Sequence, residues 1–252
     1  MEDPKKEVAL GAVLIAVVAG VIYFAFQSER PARVPATESD MAVPAPATGS
    51  DISLPALEVS DGFIRADAAA LSSHKTFADW LKQDDLIARF AAAMHILSQG
   101  QIPRDSLSAL APRQKFSAVN KNGKMTMDPR SYARYDRIAD TIESIDVSGA
   151  VKLFHKFKSL IDDVYQGLAA KDASVQEAVL RAIDELLQVP TQEGDVYLKE
   201  GKKGLTYVYA DSALEKLAPA QKQLLRMGPR NIAKIQTKLN EIKAALGAPN
   251  PR

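Results

Sequence analysis

The sequence predicts a mainly α-helical domain with two short β-hairpins, preceded by one transmembrane helix and a disordered tether. Three observations predict it. An uncharged run, "VALGAVLIAVVAGVIYFAF", extends from Val8 to Phe26. A stretch dominated by Pro, Ala, Ser and Thr follows, without any apolar period. Beyond it, apolar residues recur at three- and four-residue spacing, interrupted twice by segments that alternate around Gly-containing turns.

The elements follow in chain order. Residues 1–7 read as a cytoplasmic tail and residues 8–26 as the transmembrane helix, since about 19 residues at the helical rise span roughly 28 Å, the depth of a bilayer core. Tyr23 and Phe24 fall where an interfacial aromatic belt sits. A cleaved signal peptide has a shorter apolar region and small residues at its exit, whereas this run ends in "YFAFQSER". Lys5 and Lys6 before the span nearly balance Arg30 and Arg33 after it. The short N-terminal tail therefore decides the orientation: N-terminus cytoplasmic, C-terminal domain periplasmic, anchored in the inner (plasma) membrane. Ala12, Ala16 and Gly20 recur every four residues, a small-residue face on which two such helices could pack as a homodimer. Residues 27–54 cannot bury enough apolar surface to offset their ordering entropy and read as a flexible linker. Residues 55–246 read as one helical periplasmic domain, and residues 247–252 as a disordered tail.

Within the domain, Asp84 and Asp85 precede a helix with Leu86, Ile87, Phe90, Ala91, Met94 and Leu97 inward, closed by Gly100 and Pro103. "KFSAVNKNGKMTM" holds an Asn122-Gly123 pair, which suits the positive φ angles of a type I′ hairpin. Asp128-Pro129 starts a helix. Asp146 caps a long one with Val147, Val151, Phe154, Ile161, Val164 and Leu168 inward. Ser174-x-x-Glu177 is a capping box ahead of Val179, Ile183 and Leu186. "VYLKEGKKGLTYVYA" alternates about a Gly-rich turn and forms the second hairpin. Asp211 caps a short helix, and Ile232, Ile235, Leu239 and Ile242 line the last one.

Charge and composition narrow the chemistry. Lys+Arg is 32 and Asp+Glu 31, so the net charge is +1 and no global field gathers nucleic acid. There is no cysteine, which removes disulfides, thiol nucleophiles and thiolate metal sites together. The three histidines, His74, His95 and His155, are far apart and outside any metal-ligand spacing, and no cofactor is implied. "EGKKG" lacks the spacing of a phosphate loop, and Asp162-Asp163 reads as a solvated helix face.

"RMGPRNIAKI", Arg226 to Ile235, resembles a helix-hairpin-helix DNA module at first sight. That module needs Gly two places before Gly228, where this chain has Arg226. Gly228 fits the residue ending one helix, and Pro229 fits the first position of the next, so the stretch reads as a corner. Arg230, Lys234 and Lys238 line a basic face opposite the Ile/Leu stripe, a face expected to meet solvent, an anionic lipid surface or an acidic ligand.

Three stretches in combination, "LPALEVSDGFIR" at 54–65, "MDPRSYARYDR" at 127–137 and "YVYADSALEKLAPAQKQLLRMGPRNIAKIQTKL" at 207–239, resemble an uncharacterised bacterial membrane-anchored family, domain of unknown function 3014. The resemblance extends over about 190 residues, nearly the whole folded part. It implies a Gram-negative envelope protein and carries no activity or catalytic residue. It does mark a common polar surface or network at Arg134, Tyr135, Asp136, Asp211, Glu215, Lys222, Arg226 and Asn231. The expected function is non-enzymatic: a single-pass protein presenting its domain to an envelope protein partner, or acting as a scaffold. Two alternatives stand beside it. One is a carboxylate-dependent enzyme acting on peptidoglycan or another glycan, and the other is a binding module for anionic lipid or an acidic ligand.

Overall fold

A computed structural model of the chain describes residues 56–104, 116–201 and 207–247. The expected span at 8–26, its Ala12, Ala16 and Gly20 face, and the linker at 27–54 lie outside the described residues. Among the described residues no helix is long and apolar enough to cross a membrane. The fold is mainly helical with two small antiparallel hairpins.

A 3-10 turn, Leu57–Val59, leads into α1, Ser60–Ala68, and a second, Ala69–Leu71, leads out of it. Then come α2, Lys75–Trp80, and α3, Leu86–Leu97. After them β1, Ala118–Lys121, pairs with β2, Lys124–Met127. Three helices follow: α4, Arg130–Ala133; α5, Asp136–Glu143; and the long α6, Val147–Leu168. Next are α7, Val175–Leu187, and the second hairpin of β3, Leu198–Glu200, and β4, Tyr207–Tyr209. The chain closes with α8, Ser212–Glu215; α9, Pro219–Leu225; and α10, Pro229–Gly247. Gly247 thus belongs to α10 and not to the tail.

One apolar cluster joins α3, α6, α7 and α10. All six inward residues expected of α3 are buried, as are Ile232, Ile235, Leu239 and Ile242 of α10. Phe90 and Phe154 meet edge to face with ring centroids 6.3 Å apart, a preferred geometry for rings in a dry core. The end of α6 departs from expectation. Leu168 is 46% exposed, and Tyr165 takes the inward place in that last turn.

The helix starts are held differently from the local reading. Asp85 lies in the left-handed region at φ 59° and its side chain caps nothing. The orphan amides at the start of α3 are taken by Asp61 of α1, which accepts from Asp85 N at 2.8 Å and Leu86 N at 2.9 Å. Ser174 likewise makes no side-chain cap, so the expected capping box is not formed. Asp162 supplies that acceptor from α6, at 3.0 Å from Val175 N, and it also pairs with Lys158. The supposed solvated face at Asp162 is therefore a tie between α6 and α7. Asp146 does cap α6, accepting from Ser148 N and Gly149 N at 3.1 Å each.

The first hairpin turns at Asn122 (φ 53°) and Gly123 (φ 79°), the two positive angles a type I′ turn demands. The tip of the second falls in residues 202–206, outside the described residues. The hairpins are not isolated from each other. Thr126 bridges Tyr197, and Met127 N donates to Val196 O at 3.0 Å. Together they form a small platform against which α4 and α8 begin.

Candidate functional site

The polar residues singled out by sequence come from two distant parts of the chain, and the fold brings most of them together. Tyr135, only 1% exposed, starts α5. Its phenol oxygen accepts from Arg134 Nη2 at 3.0 Å and from Gln223 Nε2 of α9 at 3.2 Å. The Arg134 guanidinium lies 4.7 Å from the Tyr135 ring centre and 5.3 Å from that of Phe116, a buried cation against two aromatic faces. Burial lowers the Arg134 pKa, and the positive Arg226 nearby lowers it further, against the opposing influence of Tyr135. Burial raises that of Tyr135.

Tyr209 of β4 extends the cluster. Its hydroxyl donates to Lys222 O at 3.2 Å and shares a hydrogen bond with the Arg226 side chain. Burial pushes its pKa up to about 12, although Arg226 acts the other way. Glu215 of α8 closes the ring. One carboxylate oxygen accepts from Tyr209 N, and the other from Lys222 Nζ, both at 2.9 Å. Burial works against the Glu215 carboxylate. Lys222, the Tyr209 amide and Arg226 outweigh it and hold its pKa below the ordinary Glu value. Asp211 stands apart: it accepts from Ala213 N at 2.7 Å and caps α8.

The corner at Gly228 forms the second half. Asn231 Nδ2 reaches Asp136 Oδ1 at 2.9 Å, Met227 O at 3.0 Å and Tyr132 O at 3.2 Å. It stitches the start of α10 to the α4–α5 junction. Gly228 adopts φ +83°, and a Cβ placed on it would lie 2.4 Å from Tyr132 Cγ. The glycine therefore serves two ends at once, a left-handed helix stop and contact with the face of Tyr132.

The basic face of α10 does not meet solvent as expected. Lys234 binds Asp140 at 2.7 Å and Glu143 at 2.5 Å, both on α5, and only 21% of its side chain is exposed. Lys238 donates to Ile145 O at 3.0 Å and pairs with Glu241. Arg230 alone is open, 3.9 Å from Asp136 with 72% of its side chain exposed. An amphipathic pattern marks the polar side of α10; it does not reveal that α5 lays carboxylates along it.

Residues missed by sequence are Tyr209, Phe116 and above all Gln223, which is fully buried. One signal for Gln223 was present. Ala220 and Leu224 set the buried stripe of α9, which Met227 continues just past its end, and Gln223 falls within it.

The histidines sit in separate places. His74 Nδ1 is 2.8 Å from Thr141 Oγ1, His95 bonds Gln99 and His155 lies on Phe154. Among the described residues no group of three or more His, Asp or Glu gathers in a way that could hold a metal ion. What the polar cluster does in this geometry is mechanical. It ties β4, α8, α9, α10 and the α4–α5 junction into one body.

No curated protein and no solved structure matches the chain. A family model described as a protein of unknown function (DUF3014) matches residues 86–243, from the first residue of α3 to the last turns of α10. The match leaves out the "LPALEVSDGFIR" stretch at 54–65 and is shorter than the expected coverage. It includes the whole polar network and spans more than half of the sequence, so the chain belongs to the DUF3014 family.

Proposed function

We propose that the protein is a bacterial single-pass inner-membrane protein that holds a helical periplasmic domain on a tether and uses it for non-enzymatic binding or scaffolding in the envelope. The observation that carries this reading is the outer face of α1 and the turn before it. Leu57 is 40% exposed, Val59 57% and Phe63 54%, all on the element where the 27–54 linker enters the domain. Large apolar side chains left exposed within seven residues of one another favour a place where something binds. The uncharged 8–26 run supplies the anchor and the linker supplies reach.

The other two readings have less behind them. A glycan-cleaving enzyme needs a pair of convergent carboxylates. In the polar cluster Glu215 is engaged by Lys222 and the Tyr209 amide, and Asp136 by Asn231. An anionic-lipid module on α10 needs free lysines, and Lys234 and Lys238 are taken up within the fold.

Membrane fractionation tests the proposal. The full chain should stay in carbonate-washed membranes, and protease added outside spheroplasts should reach the domain. A variant lacking residues 1–26 should move to the soluble fraction. Recovery of the full chain as a soluble protein would overturn it.

A further inference from the structure

The polar network ties several elements together, yet two of its side chains are not used up by that role. Gln223 is fully buried, and its amide meets the Tyr135 phenol oxygen at one end only. The other end, Oε1, has no hydrogen-bond partner. Turning the amide over exchanges its two atoms and leaves the gap where it is. A buried amide end without a partner carries a desolvation cost that a polar ligand would remove. Arg226 is the second. It is half-buried and meets the Tyr209 hydroxyl. Lys222 pairs with Glu215 and Arg230 with Asp136, whereas Arg226 forms no ion pair among the described residues.

We propose that Gln223 and Arg226 form a binding site for a small oxyanion with a hydrogen-bond donor beside it, either a hydrogen phosphate or a carboxylate next to an N–H. The site lies within the folded domain and does not rest on the proposed membrane anchoring. Three features favour this ligand. First, the two side chains stand three residues apart at the last turn of α9, Arg226 being its C-cap, so they share one side of the helix. Arg226 is the partly exposed one of the two and gives the way in. Second, the charge balance at Arg226 is positive. Glu215, the carboxylate of this part of the network, is already engaged through both oxygens, by Lys222 Nζ and the Tyr209 amide. Arg226 also lies close enough to Arg134 to disfavour its charge. An anion at Arg226 offsets that repulsion, and the guanidinium fork presents paired N–H donors that match two oxygens. The same balance disfavours a cation. Third, Gln223 Oε1 only accepts, so the ligand brings an O–H or N–H of its own. A hydrogen phosphate or the end of an N-acylated amino acid carries both groups, and so serves the Gln223 amide in either orientation.

Titration calorimetry of the full-length chain in uncharged detergent, at constant ionic strength, tests the site. The probes are inorganic phosphate and N-acetylglycine, which separate the two sources of the oxyanion. Saturable one-to-one binding of either is the expected result, and the tighter of the two names the source. Arg226→Gln should weaken that ligand by about tenfold or more, as the loss of a charge-assisted hydrogen bond implies. Gln223→Leu keeps the charge and removes the amide, and should weaken it by about fivefold. Arg230→Gln removes an exposed arginine of α10 and should leave the affinity unchanged. Circular dichroism checks that each variant is folded, and Arg226→Gln decides alone if Gln223→Leu is not. Absence of binding by both probes would overturn the inference. So would equal affinities of the wild type and Arg226→Gln, or of the wild type and a folded Gln223→Leu. An equal loss in Arg230→Gln would make the binding a general effect of surface charge and overturn it as well.

Discussion

Gly228 is held by two constraints at once. Its φ of +83° lies where a side chain other than glycine's is strained, and the Tyr132 ring occupies the space a Cβ would take. Relaxing one constraint does not relax the other, since the ring belongs to α4 and the angle to the α9–α10 corner. Gly228→Ala is therefore expected to cost about 2–4 kcal/mol of folding stability, read as a lower urea midpoint at unchanged slope. A loss under about 1 kcal/mol would mean that the corner and Tyr132 move apart freely. The Gly-Pro step was legible in the sequence as a helix stop and a helix start, because both signals are local. Tyr132 was not. Nothing at position 132 announces that its ring will lie against a glycine 96 residues away in the chain. Gln223 tells the same lesson from the other side. Its stripe was readable, but its partner Tyr135 comes from a distant helix that only tertiary packing brings close.

At the scale of elements, the recurring device is a charge on one helix that completes another. Asp61 of α1 caps α3, Asp162 of α6 caps α7, and Lys234 of α10 bridges two carboxylates of α5. Periodicity located the apolar faces of α3, α7 and α10 because burial of one stripe repeats with the helix turn. The same periodicity misassigned the polar face of α10, because it says only which side is not core. The bridge at Lys234 has a measurable consequence. Asp140 and Glu143 favour the charged form of Lys234 and raise its pKa. Replacing it by Glu would set three carboxylates side by side. Both acids are about half exposed, so solvent screens much of the effect, and the expected cost is about 1–2 kcal/mol, smaller at high salt. The double variant K234E/D140K should recover part of that loss in a thermodynamic cycle. Equal stability of the wild type and Lys234→Glu at low salt would show that the pairing contributes nothing to the α5–α10 contact.

At the scale of the molecule, the question is whether the N-terminal elements outside the family match fold with the rest or merely rest on it. The family match begins at Leu86, so α1 and α2 precede it. Their contacts argue for one body. Trp80 of α2 is 1% exposed and stacks on Phe77 with ring centroids 6.3 Å apart, within the same apolar cluster as α3, α6 and α10. Asp61 supplies the cap of α3, Asp67 pairs with Lys156 of α6, and Asp146 N, at the start of α6, donates to Leu71 O at 3.0 Å. Losing α1 would leave the α3 amides uncapped and Lys156 without its carboxylate, so partial detachment exposes core and breaks polar contacts together. Trp80 is the single tryptophan, and its fluorescence reports the N-terminal elements, whereas the far-ultraviolet circular dichroism is dominated by α3, α6, α7 and α10. The two signals should trace one urea transition with the same midpoint, as two-state unfolding of a single core requires. If the tryptophan signal moved first, at a lower urea concentration, α1 and α2 would be a separable layer.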